Sequence, residues 1–173
     1  APAVFAASVA QPVALPDLGQ LRAIYTIARG SSDAAANVLA YEIMRETGLP
    51  ATSLPPSIFS VGQGVRLDDS AVIVVSQSGA SDDLVRSARG ARASGARVLA
   101  LTNAPASPVE AAADSTIRIG AGPELAVPAT KSVIGAIAGG MALLSALVPA
   151  YALRAAASAP SRRRRRPSSS TRP

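Results

Sequence analysis

Ala71-Val72-Ile73-Val74-Val75-Ser76-Gln77-Ser78-Gly79-Ala80-Ser81 is the stretch that decides the fold. Five consecutive apolar residues, four of them β-branched, read as a strand covered on both faces, the signature of a parallel sheet. The Ser/Gly turn after it ends the strand, and Ser81 can open a helix, expected over 81–94 and closed by Gly95. Downstream, Arg97-Val98-Leu99-Ala100-Leu101-Thr102 gives the next strand. A short helix over 108–113 and a strand over 115–119 follow. Upstream, Ala23-Ile24-Tyr25-Thr26-Ile27-Ala28 reads as a buried strand ended by Gly30. Ser31-Ser32-Asp33 supplies N-cap chemistry for a helix over 34–47, closed by Gly48-Leu49-Pro50. Residues 51–60 carry weak signals for a short strand and a Pro/Ser turn. Strands alternating with helices define an α/β protein with a mainly parallel sheet.

The 173 residues suffice for one domain, and 49% hydrophobic content is enough for a core. The chain divides into a helical lead-in over 1–20, a domain over 21–150 and a basic tail over 151–173. No cysteine and no histidine is present, which removes thiol chemistry, disulfides and the commonest metal ligands and general base. Neither a metal nor a cofactor is expected. The net charge of +6 is unevenly placed. Residues 154–173 hold seven arginines and no acid, whereas residues 1–153 hold ten basic and eleven acidic residues, a net −1. The basic excess therefore says nothing about the partner of the folded body. From Ala155 onward the tail is almost wholly Ala, Ser, Pro and Arg without apolar periodicity, and 151–173 reads as disordered. Arg162 to Arg166 could meet nucleic acid or an anionic membrane, but no aromatic residue of the tail could stack on a base. Neither partner is expected.

Between Lys131 and Arg154 lie 22 uncharged residues, long enough to span a bilayer. Gly135, Gly139 and Gly140 suit instead a helix packed closely on the sheet, and Ser132, Ser145 and Pro149 dilute the membrane reading. No basic start or cleavage pattern of a secretory signal opens the chain, and a cytoplasmic setting is expected.

Two strand-to-helix turns share a chemistry. Arg29-Gly30-Ser31-Ser32-Asp33 and Ser76-Gln77-Ser78-Gly79-Ala80-Ser81 would each place serine hydroxyls and first-turn N–H groups beyond the carboxyl end of a parallel strand. That is where open α/β sheets bind ligands, and helix N-termini favour anions such as phosphate. Ser76, Ser78 and Ser81, with the backbone around Gly79, make a phosphate cup without a fixed positive charge. Taken one at a time, such residues are ordinary turn and cap residues. No Walker lysine and no dinucleotide glycine pattern is present, so nucleoside triphosphates and NAD are poor candidates. A third segment, from Gly120 to Lys131, brings Glu124, Thr130 and the only lysine to the start of the apolar helix. It is either a solvated loop or a cover for the sugar end of a phosphorylated ligand.

Ala28-Arg29-Gly30-Ser31-Ser32-Asp33, Val75-Ser76-Gln77-Ser78-Gly79-Ala80-Ser81 and Ala121-Gly122-Pro123-Glu124 with Val127-Pro128-Ala129-Thr130-Lys131-Ser132 resemble, in order and spacing, the SIS (sugar isomerase) domain family. The likeness spans roughly residues 20–148 and is nearest to the isomerase part of glutamine–fructose-6-phosphate aminotransferases and to glucosamine-6-phosphate deaminase/isomerase proteins. It implies a five-stranded parallel sheet between helices, with flavodoxin-like layering. It also implies a hexose 6-phosphate ligand, with Ser32, Ser76, Gln77, Ser78, Gly79 and Ser81 at the phosphate. Gly30, Ser31, Glu124, Lys131 and the backbone of Val127 would lie at the sugar. In such proteins two of these domains stand in tandem in one chain and dimerise, and the second supplies a carboxylate base, a lysine and a histidine. Aldose–ketose isomerisation needs a positioned base, and Glu124 matches a loop residue of the family rather than that base. The expectation is a phosphosugar-binding half of an isomerase, aminotransferase or deaminase, dimeric and without a catalytic residue of its own. A phosphosugar sensor without catalysis is the alternative. A tail-anchored or nucleic-acid-binding protein is a third.

Overall fold

The structure, a computed structural model, describes residues 2–124 and 129–158. Seven helices and five strands follow in the order α1 (Pro2–Val9), β1 (Ala23–Ile27), α2 (Ser31–Thr47), β2 (Ala51–Ser53), α3 (Ser57–Ser60), β3 (Ser70–Ser76), α4 (Asp82–Ala93), β4 (Arg97–Thr102), α5 (Pro108–Ala111), β5 (Ser115–Arg118), α6 (Thr130–Leu147) and α7 (Pro149–Ser158). The strands form one parallel sheet in the order β2-β1-β3-β4-β5. All seven residues of β3 are buried, as its unbroken apolar run requires.

Side chains alternate between two cores. Ile73, Val75, Leu99, Leu101 and Ile117 face the layer of α2 and α6, while Val72, Val74, Val98 and Ala100 face the layer of α4. Each Val, Leu or Ile side chain among them taken from water stabilises the fold by about 1.5–3 kcal/mol. The two helices that leave β1 and β3, α2 and α4, thus lie on opposite faces of the sheet.

The outer edge of β5 is closed by a side chain instead of a strand. The Gln11 carboxamide donates to the Arg118 carbonyl (2.6 Å) and accepts from the Arg118 N–H (3.0 Å). An edge satisfied in this way offers less of its ladder to another chain. The helical lead-in is therefore part of the fold, with Ser8 also bonded to the Ile119 carbonyl.

The uncharged stretch after Lys131 is not a single helix. Val148 is extended (φ −131°, ψ 93°) between α6 and α7, because the residue before a proline is driven out of the helical region. By length and composition α6 could cross a membrane, yet half of it is buried against the rest of the fold. Gly135 and Gly139 set its distance from the sheet. A β-carbon at Gly135 would stand 2.6 Å from Ile119 Cγ2 and 3.0 Å from the Ile119 carbonyl oxygen, and one at Gly139 would stand 2.7 Å from Leu101 Cδ1.

One expectation is corrected at the C-terminal end. Residues 151–158, assigned above to a disordered tail, are helical as part of α7. Tyr151 is buried in the α2/α6 core and Arg154 pairs with Glu46 of α2, while the alanines that suggested low complexity are the best helix formers. The rest of the tail, including the five arginines, lies outside the described residues.

The two glycine contacts give a stability test. Gly135→Ala, pressed against backbone, should lower the unfolding free energy by about 1–3 kcal/mol. Gly139→Ala meets only a rotatable methyl, and alanine gains about 1 kcal/mol in a helix interior, so its stability should stay near wild type. Urea unfolding of the two variants checks this order.

Candidate functional site

β1 and β3 are neighbours in register from Ala23↔Ser70 to Ile27↔Val74, and the chain leaves them towards opposite faces. That divergence opens a crevice at the carboxyl end of the sheet, the position where open α/β sheets take ligands. A cleft of about 360 Å³ lies there, lined by Arg29, Gly30, Ser31 and Ser32 on one side and by Ser76, Gln77, Ser78 and Ser81 on the other, with Val75, Leu84 and Ala129 completing it. A larger hollow of about 470 Å³ lies between α2, α6 and α7 among Val38, Ile137, Met141 and Tyr151. Glu42, Arg45 and Arg154 also line it, but Arg45 is paired with Glu42 and Glu46 and Arg154 with Glu46, so its cations are already matched by carboxylates and the rest of its wall is mainly apolar.

The turn after β3 is held by its own atoms. Gly79 has φ +62°, a conformation that L side chains rarely adopt, and a β-carbon there would stand 2.2 Å from Ser107 Oγ. The Gly79 N–H donates to Ser76 Oγ at 3.0 Å, and the Ala80 N–H to Ser78 Oγ at 3.4 Å. Ser76, 2% exposed, accepts in this bond and keeps its hydroxyl hydrogen as a donor. Gly79 itself is buried behind the turn and is not among the residues lining the cleft.

Both helices that point into the crevice begin without a side-chain cap. Gly30 (φ 55°, ψ −132°) precedes α2, in a region of backbone space that is essentially glycine's own. Ser81 precedes α4 in extended conformation and makes no cap bond. Away from the cleft, Ser107 caps α5 by accepting from the Glu110 N–H. In the first turns the Ser32 and Asp33 N–H groups already donate to the Arg29 and Gly30 carbonyls (3.2 and 3.1 Å) and the Leu84 N–H to the Ser81 carbonyl (3.0 Å). The leading amides, Ser31 of α2 and Asp82 and Asp83 of α4, are therefore the ones left to meet an outside acceptor, and two positive helix ends converge on one crevice. Arg29 is the one charged residue among the described lining residues. Its guanidinium meets Asp83 of α4 at 3.0 Å. Arg29 belongs to the 29–33 turn, but its partner lies 54 positions away and no local signal marks the pair.

The third segment is placed differently. Glu124 Oε2 accepts from the Ser132 N–H (2.9 Å) and from Ser132 Oγ (3.1 Å), capping α6 where its N-cap residue, Ala129, cannot. Those bonds, the backbone N–H first, hold the Glu124 carboxyl below its ordinary value. Lys131 Nζ donates to the Pro123 carbonyl at 2.8 Å. Neither Glu124 nor Lys131 lines the cleft; together they tie the loop to α6, and among the described residues of this segment Ala129 is the one that reaches the cleft wall. Asn103, unremarked in the sequence, pins the loop's start through the Gly122 carbonyl (2.8 Å) and the Ala121 N–H (2.7 Å). Val127 lies outside the described residues. Among the described residues no three carboxylates gather to hold a metal ion.

With this geometry in view, the likeness to known proteins is informative. The SIS domain model matches residues 18–146, well over half of the sequence, and the chain belongs to the SIS domain family. It is 34% identical over 129 residues to the glutamine–fructose-6-phosphate aminotransferase (isomerizing) of Clostridium acetobutylicum, over 70% of this chain and 21% of that protein. A candidate phosphosugar isomerase from Silicibacter pomeroyi DSS-3 superposes with a TM-score of 0.75 at 43% identity, over 79% of this chain and 42% of that one. The Vibrio vulnificus NanR protein, solved in complex with ManNAc-6P, superposes with a TM-score of 0.57 at 21% identity, over 89% of this chain and 56% of that one. At that identity the likeness is one of fold. The chain spans about a fifth of the length of the curated relative named here.

Two consequences can be measured. Ser76→Ala leaves the buried Gly79 N–H without its acceptor and should cost about 1–3 kcal/mol in urea unfolding. For Glu124, a folded-state value below the unfolded one means stability that is present above the unfolded value, about 4.3, and lost as pH falls through the folded value. The melting-temperature gap between wild type and Glu124→Gln should thus be widest above about pH 5 and close on acidification.

Proposed function

We propose that the cleft between β1 and β3 binds the phosphate of a hexose 6-phosphate, an amino-sugar phosphate in particular. On this reading the chain serves as the first half of an isomerase, aminotransferase or deaminase acting on such sugars. The observation that carries this is the convergence of two helix N-termini without side-chain caps and five serines on one crevice at the topological switch point. Phosphate oxygens match that array of N–H and O–H donors, which needs no lysine to hold an anion. Ser31 and Ser32 on one wall and Ser76, Gln77, Ser78 and Ser81 on the other are the contacts. The 34% identity with an isomerizing glutamine–fructose-6-phosphate aminotransferase supports the choice of sugar.

The chemistry of proton transfer is assigned elsewhere. No carboxylate or imidazole is among the described residues of the cleft wall, so a base for moving a proton between sugar carbons would come from a second domain of the same kind. The exposed side chains of Val38, Tyr41 and Met44 on α2, beside the apolar hollow, are a surface on which such a domain or a second copy would sit. A second reading, a phosphosugar sensor without catalysis, is favoured by the same lack of a base, and the fold shared with NanR, solved with ManNAc-6P bound, is compatible with it.

Isothermal titration with glucosamine 6-phosphate and fructose 6-phosphate tests the site. Saturable binding is expected, and Ser78→Ala with Ser81→Ala should weaken it by about tenfold to a hundredfold, the loss of bonds to a charged group. Absence of binding at millimolar ligand overturns the proposal. Turnover of glucosamine 6-phosphate by this chain alone would exclude the sensor reading. Light scattering should show a dimer or larger assembly, and a monomer at high concentration would contradict the docking role of the α2 face.

A further inference from the structure

The Arg29–Asp83 pair spans the crevice. Arg29 ends the β1 wall of the cleft, and Asp83 stands in the first turn of α4, the helix that begins the β3 wall. Its two members are not equally free. The Asp83 side chain is 24% exposed and sits where a helix end favours a carboxylate, whereas Arg29 is 66% exposed on a long, jointed side chain. The neighbouring Asp82 has its own partner in Arg86 at 2.9 Å. Asp83 is thus an anion already seated at one of the two helix ends that would hold a phosphate, and Arg29 neutralises it.

A phosphate arriving in the cup comes close to the Asp83 carboxylate and competes with it for the same guanidinium. Resting on the phosphate-site reading above, we propose that Arg29 is the exchangeable counter-ion of this site: Asp83 holds it across the empty crevice, and a bound phosphate draws it away. Asp83 then acts as a built-in competitor that weakens binding of every anion and favours ligands with charge enough to win the guanidinium. A doubly charged sugar phosphate meets that condition better than an unphosphorylated sugar acid. The planar fork of an arginine can bridge two oxygens of such a group, which a lysine cannot do.

The test lies in opposite signs. Asp83→Asn removes the competitor and should tighten binding of both glucosamine 6-phosphate and inorganic phosphate, whereas Arg29→Ala leaves Asp83 unshielded and should weaken it. Shifts of about three- to tenfold are expected for partly exposed charges, shrinking as salt is raised. Arg29→Lys should recover only part of the loss, and the double variant should fall between the two single ones. A purely structural clamp would make both single variants bind more weakly, and that result overturns the proposal, as does the absence of any change. If Asp83→Asn does not fold, the salt dependence of the Arg29→Ala loss decides: charge competition predicts a loss that shrinks as salt is raised, and a loss that salt leaves unchanged overturns the proposal. If the wild-type protein binds neither probe, the phosphate site itself fails, and the exchange role fails with it.

Discussion

Parallel pairing of β3 with both of its neighbours is the constraint on which the rest of the structure depends. Parallel strands cannot be joined by tight hairpins, so each must be followed by a return over one face of the sheet. Every strand-to-helix turn is thereby placed at the same end of the molecule. Because α2 returns from β1 to the outer β2 and α4 returns from β3 to β4, the two helices separate onto opposite faces. The crevice between them follows from strand order alone, and the residues at 29–32 and 76–81 only furnish it.

The furnishing is economical in charge. Helix ends and hydroxyls supply donors whose positions are fixed by backbone, with Gly79 seated against Ser107 and Ser76 bonded to the Gly79 N–H. Such a site is preorganised before any ligand arrives, and little conformational freedom remains to be lost on binding. The same economy explains the contrast between Glu124 and the serines. Glu124 is charged but committed, holding the first turn of α6, and the cleft hydroxyls are neutral and available.

Much of this was legible in the sequence, for physical reasons. The run 71–75 could only be a strand buried on both sides, and the Ser/Gly turns after it and after 23–28 announced both walls of the cleft. What escaped were interactions between residues remote in the chain. Nothing local tells that Arg29 meets Asp83, that Gln11 closes the edge of β5, or that Glu124 caps a helix eight residues on. The break at Pro149 was written in the sequence but was outweighed by a long uncharged run. The end of α7 was hidden because alanine is common both to low-complexity tails and to good helices.

The most direct measurement is a titration of the amide-labelled protein with glucosamine 6-phosphate, followed by two-dimensional nitrogen–proton NMR. If the anion rests on the two helix ends, the largest saturable shifts will fall on the amides of Ser31, Ser32 and Asp33 and on those from Gln77 to Asp83. Saturable shifts centred on the apolar hollow between α2 and α7, or no saturable shift at either turn, would contradict it.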